Sequence, residues 1–437
     1  MKLSSLFKKK TVRNAGWIVG GRLTNKVLSF LVGVLTARYL GPGNYGLIGY
    51  VTAYITFFSA LSNLGLNSVI IKEFADNPRD EGLAMGTTMG LRAVSSLLSA
   101  VMIVGVVAVA DGGDKTTIIV AMLSSMGLLF QIFDVLKKWF QSRLQSKYAA
   151  IATVISYGVI SAYKIILLIT AKSVEWFALS TALEYCVEAI FLLAVYKKHN
   201  GPKFGFSWEK GKNLLRASSG YIVSAVMVSV YASTDRLMLK HMLDDASVGY
   251  YTLSVSLSNI WVFLLEAVID SMYPTVVQAH GKDKALFRQR NRQLYAIVLY
   301  LAVAVSAGIC LLANPLVSIL YGKEYLPAVA PLRVVVWYTA FSYLGVARNP
   351  WMVCENKQKY LPSLYFGAAV INVILNWAMI PLWGPTGAAL ASLITPNTRA
   401  IVLNSPNNPT GAVLNQRSLD TVVRLTEGTG IYILCDN

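Results

Sequence analysis

AGWIVGGRLTNKVLSFLVGVLTA (residues 15–37) and LIGYVTAYITFFSALSNLGLNSVII (residues 47–71) are long apolar runs separated only by RYLGPGNYG (residues 38–46). Each run reaches the roughly 20 apolar residues that an α-helix needs to cross the hydrocarbon core of a bilayer. The glycines and the proline between the runs permit a tight reversal of the chain. This stretch therefore predicts two adjacent membrane-spanning helices.

The turn also contains Gly41, Gly43 and Gly46, which match the G-x-G-x-x-G pattern of dinucleotide-binding proteins. That pattern requires a preceding strand and a helix that opens at the glycines within a soluble unit. A membrane helix precedes the glycines here, so we interpret them as a turn.

The apolar pattern continues along most of the chain. The 437 residues are 55% hydrophobic and 14% charged, whereas soluble proteins carry roughly 25% charged residues. The runs are too long and too little alternating for the strands of a membrane β-barrel. Further spans are predicted near residues 86–110, 116–136, 148–170, 175–196, 217–239, 249–270, 294–313, 331–350 and 361–382, with a twelfth run over 384–395 that is too short to cross.

Lys and Arg gather in alternate gaps between the spans, beginning with Lys8, Lys9, Lys10 and Arg13. This alternation predicts a cytoplasmic N-terminus by the positive-inside rule. It also explains the net charge of +17 without a nucleic-acid partner, because a nucleic-acid binder would gather its basic residues on one soluble face.

A long basic gap divides the spans into two sets of six. The predicted fold class is an all-α polytopic membrane protein with two six-helix bundles, about eleven complete helices, a truncated twelfth, and a short soluble α/β segment at the C-terminus. The predicted domains are an N-terminal bundle (1–196), a cytoplasmic linker (197–216), a C-terminal bundle (217–395) and the C-terminal segment (396–437). The scattered cysteines and histidines predict no metal site, and no cofactor is expected.

Basic residues inside the predicted spans are the first functional candidates, because buried charges in a membrane usually face a cavity or a partner. Arg22 and Lys26 share one face of the first span with Ser29 and Gly33. Similar polar stripes carry Arg92 in the third span and Lys164 in the fifth. We therefore predict a cationic, substrate-binding cavity for an anionic ligand, formed by Arg22, Lys26, Arg92 and Lys164; an open alternative is that Arg22 and Arg92 extend to the lipid headgroups.

Acidic residues in the spans are candidates for gating contacts, ion pairs or proton transfer. Glu184 and Glu188 lie one helical turn apart, and Glu184 is expected at the depth of Lys164, which favours an ion pair. Asp235 with Arg236, and Glu266 with Asp270, lie near the ends of their spans, where a position in interfacial water is an equal alternative.

Several segments resemble one family of transporters. ARYLGPGNYGLIGYVTA (37–53), LSNLGLNSVIIKEFA (61–75), STDRLMLKHMLDDASVGYYTLSVSL (233–257), NPLVSILYGKEYLPAVAPLRV (314–334) and GPTGAALASLIT (384–395) resemble the polysaccharide biosynthesis flippases. These are the O-antigen translocases of the multidrug/oligosaccharidyl-lipid/polysaccharide exporter superfamily. The resemblance covers nearly all of residues 10–395.

The resemblance implies transport, without enzymatic activity, of an undecaprenyl-pyrophosphate-linked oligosaccharide across the bacterial cytoplasmic membrane by alternating access. It implies that Arg22, Lys26 and Arg92 meet the pyrophosphate, and that the polysaccharide polymerase or export machinery is a partner. An alternative within the superfamily is a drug or cation antiporter, for which an acidic cavity is expected.

The C-terminal segment departs from this family. SPNNPTG (405–411) and ILCD (433–436) resemble class I and II aminotransferases. That resemblance implies that Asn408 and Asp436 correspond to residues that contact the ring of pyridoxal phosphate. The Schiff-base lysine of such enzymes is absent, so we expect an inactive vestige of the cofactor site, no sheet for its strands to join, and a chimeric or truncated product as a further alternative.

Overall fold

The computed structural model describes residues 2–280, 283–355, 361–393, 400–404 and 432–436, and most of these are helical. The helices of the first half are α1 (Lys2–Ser62), α2 (Leu66–Asp76), α3 (Glu81–Ala110), α4 (Lys115–Phe130), α5 (Asp134–Ser142), α6 (Ser146–Ile169) and α7 (Val174–Lys198). Those of the second half are α8 (Trp208–Met242), α9 (Asp245–Ser258), α10 (Val262–His280), α11 (Lys284–Leu320), α12 (Val329–Ala347), α13 (Asn349–Cys354), α14 (Leu361–Trp383) and α15 (Pro385–Leu393).

The long helix α1 consists of two helices that meet at a sharp break. Gly41 has φ 70° and ψ 171°, a conformation outside the helical region that residues with a Cβ atom rarely adopt. Pro42 follows it and begins the second helical segment, where its missing N–H is tolerated. The glycine-rich motif is therefore a turn between two spans, as its sequence context predicts.

Ten helical segments of the described residues are long and apolar enough to cross a membrane. One of them, Thr24–Asp76, contains both runs that flank Gly41. The predicted span over 249–270 is instead two helices, α9 and α10, separated at Asn259–Trp261. The chain is thus an all-α, multi-pass membrane protein, as predicted. Within the described residues, its twelfth run forms the nine-residue α15.

The helices pack in two groups that meet along α1, α8 and α9. In the first group, α1 packs on α6, and α4 packs on α3 and α7. In the second group, α14 packs on α8 and α15, and α11 on α10 and α12. We call the end of the molecule where α3 and α8 begin the linker end, and the opposite end, where α1 breaks and α8 stops, the far end.

Two short strands lie in the C-terminal segment. β1 (Ala400–Asn404) pairs in parallel with β2 (Tyr432–Asp436), with Ala400 opposite Tyr432. The prediction that these strands have no sheet to join is wrong, because they pair with each other. Asp436 ends β2, whereas Asn408 lies outside the described residues.

Candidate functional site

A cavity of about 460 Å³ lies between the two groups of helices. α1 forms one wall, and α8, α9 and the start of α10 form the other. The cavity is lined by Lys26, Val27, Ser29, Phe30, Leu31, Gly33, Tyr45, Arg236, Val255, Ser256, Asn259, Ile260, Phe263 and Tyr321. Two of these side chains are basic and none is acidic, so the cavity carries positive charge.

The predicted stripe on the first span contributes directly to this cavity. Lys26, Ser29 and Gly33 all line it, as their spacing along one helical face indicates. Arg22 belongs to the same stripe, but its side chain lies outside the described part of the structure. The second cation, Arg236, comes from α8 and was predicted to be a gating or ion-pair residue.

Arg92 and Lys164, which the sequence grouped with Lys26, are not among the residues that line this cavity. Arg92 is only 1% exposed within the first bundle. Its Nη2 atom donates a hydrogen bond to Oδ1 of Asn67 at 2.8 Å, whereas its Nε and Nη1 atoms have no hydrogen-bond partner. The polar stripe of α3 therefore points into the first bundle rather than into the space between bundles.

Glu188, a predicted gating or ion-pair candidate, forms an ion pair with Lys137. Its Oε2 atom lies 2.7 Å from Nζ of Lys137, which also lies 3.0 Å from Oδ1 of Asp134. Thr153 donates a hydrogen bond to Oε1 of Glu188 at 2.6 Å. Lys137 lies in the predicted gap between the spans 116–136 and 148–170, and Asp134 lies near the end of the first of these spans. In the structure both belong to α5 and join Glu188 in a partly buried charge network of the first bundle.

Glu184 and Lys164, the predicted ion pair, lie near enough for their charges to interact. They do not come within 4.0 Å of each other among the ion pairs of the described residues, so this pair is looser than that of Glu188. In the second bundle, Glu266 accepts a hydrogen bond from the hydroxyl of Tyr343 at 3.2 Å, and the side chain of Asp270 is exposed.

Asp235 is the centre of a buried polar cluster in the second bundle, only 5% exposed. Its carboxylate accepts hydrogen bonds from Ser392 Oγ at 2.6 Å, Asn376 Nδ2 at 2.7 Å and Asn372 Nδ2 at 3.2 Å, and a further one from the Tyr251 hydroxyl. These donors come from α15, α14 and α9.

No ion pair of the described residues involves Asp235. Ionisable side chains buried within membrane-spanning segments mark substrate or ion pathways and proton relays. A multidentate metal site is not indicated, since the described residues contain no group of three or more His, Cys, Asp and Glu side chains that could hold a metal ion.

The sequence reasoning missed Asn372, Asn376 and Ser392. Asn372 and Asn376 lie one helical turn apart in the apolar helix α14, and both are fully buried. Two amide side chains on one face of a membrane-spanning helix indicate a polar contact inside the bundle, because such side chains normally face a partner. Asn372 and Asn376 could therefore have been identified from the sequence.

The two groups of helices make a very close contact at the far end. A Cβ atom on Gly46 would lie 1.7 Å from the carbonyl oxygen of Asp245, and a Cβ atom on Gly249 would lie 2.1 Å from that of Pro42. Each glycine thus faces the backbone four residues before the other glycine. The contact is reciprocal, and only glycine permits this approach of the two backbones.

Polar side chains join the same two groups beside this crossing. The hydroxyl of Tyr50 donates a hydrogen bond to Oδ2 of Asp111 at 2.8 Å and lies 3.2 Å from Nε2 of His241. Tyr50 and Asp111 belong to the first group and His241 to α8 of the second. The far end is therefore closed by both backbone packing and hydrogen bonds.

Comparison with known proteins agrees with this architecture. The chain is 20% identical over 393 residues to the succinoglycan biosynthesis transport protein ExoT of Rhizobium meliloti, which covers 87% of this chain and 74% of that protein. It is 19% identical over 408 residues to an uncharacterized membrane protein in the cps region of Klebsiella pneumoniae, which covers 90% and 81%. Lipid II flippase MurJ, solved in an inward closed conformation, shares the fold with a TM-score of 0.71 at 14% identity over 86% of this chain and 84% of that one.

Two family models match the sequence. The model of class I and II aminotransferases matches residues 367–437, a range that begins inside α14, so similarity to an enzyme is confined to the C-terminal part. The model of the polysaccharide biosynthesis proteins matches residues 11–280, which is more than half of the chain. The chain therefore belongs to the polysaccharide biosynthesis protein family.

Proposed function

We propose that this protein is a flippase that moves an undecaprenyl-pyrophosphate-linked oligosaccharide across the cytoplasmic membrane of a bacterium. The observation that carries the proposal is the positive cavity between the two groups of helices, with Lys26 on one wall and Arg236 on the other. Two cations that line one cavity without a carboxylate among the lining residues attract an anion, and the attraction grows where water is excluded. A diphosphate that joins a lipid to a sugar has the required charge.

The lining of the cavity also suits the uncharged parts of such a substrate. Tyr45, Tyr321, Ser256 and Asn259 offer hydroxyl and amide groups for hydrogen bonds with sugars, and Phe263 offers an apolar ring. Ligand sites of this kind combine apolar walls with a few polar groups that fix orientation.

In an alternating-access cycle, the contact between Gly46 and Gly249 would close the far end of the cavity. In the conformation described here the far end is closed, and opening it requires that α9 separate from the second segment of α1. We infer that the two bundles rock about this cavity, with the predicted cytoplasmic N-terminus placing the linker end at the cytoplasmic face.

Asp235 is our proposed coupling residue. It lies on α8 one position before Arg236, which lines the cavity. A change in the protonation of Asp235, or in a cation bound to it, would therefore change the electrostatic potential at the cavity wall. Asn372 and Asn376 of α14 and Ser392 of α15 donate hydrogen bonds to Asp235. A change in the charge of Asp235 would therefore also alter its contacts with these two helices.

The second candidate is a drug or cation antiporter. A MATE family transporter in an inward-facing conformation shares the fold, with a TM-score of 0.66 at 15% identity over 85% of this chain and 92% of that one. The charge of the cavity favours the flippase, because a cationic substrate would meet Lys26 and Arg236 without any carboxylate among the lining residues. The pyridoxal phosphate motif at Asn408 and Asp436 gives no comparable basis for enzymatic activity.

Complementation of a bacterial strain that lacks its own polysaccharide flippase tests the proposal. We expect the chain to restore surface polysaccharide, and Lys26→Gln and Arg236→Gln to reduce it at equal membrane abundance. Lys323→Gln, at an exposed position outside the cavity, serves as the matched loss of charge. Normal polysaccharide from both cavity variants would contradict the proposal, as would resistance to cationic drugs without any polysaccharide.

A further inference from the structure

The connection between the two bundles is an extended segment that lies in a groove of α3. Gly82 and Gly86 form the floor of this groove: a Cβ atom on either would lie 2.2 Å from a carbonyl oxygen of the connection, that of Lys203 or Gly205 respectively. The backbone N–H of Gly205 donates a hydrogen bond to the carbonyl oxygen of Gly82 at 3.1 Å. The backbone of the connection is therefore fixed against the first bundle.

A second contact fixes the point where the connection becomes α8. The backbone N–H of Ser207 donates a hydrogen bond to Oγ1 of Thr87 at 3.0 Å, and the Ser207 side chain caps the first turn of α8 by accepting from the N–H of Lys210. An ion pair between Lys210 and Glu73 ties this turn to α2. Side chains that point away from α3 are thus held in place before any partner binds.

Three large aromatic side chains along this connection are partly exposed, although the Phe204 ring stacks on Tyr196 and the Phe206 ring lies over Gly90 of α3. Phe204, Phe206 and Trp208 are 46%, 58% and 60% exposed, and the rings of Phe206 and Trp208 lie 6.3 Å apart. Aromatic residues clustered at one end of a membrane-spanning helix are typical of the interface between water and lipid.

Exposed basic residues surround these rings. Trp208, Lys212 and Arg216 follow one another at four-residue spacing, so they share one face of α8. Lys203 is exposed beside them, and Glu209 is the one acidic residue between Lys203 and Arg216 in the sequence. We call this surface the linker patch, defined by Lys203, Phe204, Phe206, Trp208, Lys212 and Arg216.

The length of α8 places the linker patch at the membrane surface. Its 35 residues span about 52 Å, whereas the hydrocarbon core is about 30 Å thick. The exposed face of α8 becomes apolar from Tyr221 and Val223 onward. The first three turns of the helix therefore extend into the layer of lipid headgroups.

We propose that the linker patch binds the phosphate groups of anionic phospholipids, with its aromatic rings inserted at the level of the headgroups. The basic side chains supply the charge complementarity, and the glycine groove presents them without a further loss of conformational freedom. This contact holds the connection between the bundles against the membrane surface. It is independent of the substrate carried in the cavity.

The test uses the full chain in neutral detergent, titrated with brominated phosphatidylglycerol or brominated phosphatidylcholine. Quenching of Trp208 is obtained as the difference between the wild-type protein and Trp208→Phe. We expect phosphatidylglycerol to quench this fluorescence at lower concentration than phosphatidylcholine. The triple variant K203Q/K212Q/R216Q should lose about fivefold in apparent affinity for each basic residue removed.

The matched control is K115Q/K172Q/K323Q, which removes three exposed basic residues at the far end and should bind phosphatidylglycerol like the wild type. Gel filtration and circular dichroism check that each variant is folded, and single variants replace a triple variant that is not. Equal quenching by both lipids would overturn the proposal, as would equal losses in the two triple variants. So would a preference of the patch for a polyprenyl diphosphate over phosphatidylglycerol.

Discussion

Replacement of Gly46 by alanine perturbs the crossing that closes the far end. The added methyl group would lie 1.7 Å from the carbonyl oxygen of Asp245, whereas ordinary contacts between carbon and oxygen are about 3.5 Å. Because the obstacle is backbone rather than the end of a flexible side chain, α9 and the second segment of α1 would have to separate by more than about 1.5 Å.

Overpacking of this kind costs typically about 1–3 kcal/mol. In the proposed alternating-access cycle the open conformation lacks this contact, so the cost applies only to the conformation in which the far end is closed. Gly46→Ala should therefore shift the equilibrium toward the open conformation by about 5- to 150-fold.

Spin labels at Lys172→Cys and Lys323→Cys report this change as the distance between the two bundles at the far end. The background is a variant in which Cys186, Cys310, Cys354 and Cys435 are replaced by serine. We expect Gly46→Ala to lengthen the distance distribution. The control Gly308→Ala adds a methyl group to α11, where a Cβ atom would have no neighbour within 4 Å, and should leave the distribution unchanged. A distribution in Gly46→Ala that matches the wild type would show that the glycine crossing does not hold the far end closed.

Three further predictions concern buried charges and a helix cap. Asp235→Asn should abolish the dependence of transport in proteoliposomes on a proton or sodium gradient while the protein remains folded; a variant that still follows the gradient would exclude Asp235 as the coupling residue. Glu188→Gln should lower the free energy of unfolding by about 1–3 kcal/mol because it weakens the bond to Lys137, and the double variant Lys137→Met/Glu188→Leu should recover part of the loss in thermal denaturation. The pKa of Asp114 is lowered because its carboxylate accepts hydrogen bonds from the side chain and backbone of Thr117. Asp114→Ala should therefore lower the melting temperature at neutral pH, and its difference from the wild type should vanish as the pH falls below about 4, through the lowered pKa of the folded protein.

The features that the sequence predicted well depend on local chemistry. Apolar runs of 20 residues form membrane helices wherever they pack, and the turn at Gly41 requires only glycine and proline in its own segment. The position of Lys26, Ser29 and Gly33 on one helical face was also predictable, since all three residues belong to one helix.

The features that sequence analysis missed depend on which helices become neighbours. Helical spacing places Arg92 on a polar face but does not show that this face meets α2 rather than the cavity. Lys137 was read as a loop charge, yet the helix bends at Gln131–Phe133 and α5 continues into the bundle. Asn372 and Asn376 are neutral, so a search for charged residues inside the spans does not find them. Only their four-residue spacing, which places both on one face of α14, indicates a shared polar contact.

The central claim is that Lys26 and Arg236 together hold the phosphate groups of a lipid-linked substrate. Its most direct test is equilibrium binding of a polyprenyl diphosphate to the purified full chain, compared with the double variant K26Q/R236Q and the far-end control K172Q/K323Q. We expect the wild type and the control to bind the lipid equally, and the cavity variant to bind it at least about tenfold more weakly. Equal binding by all three proteins would exclude Lys26 and Arg236 as the phosphate site.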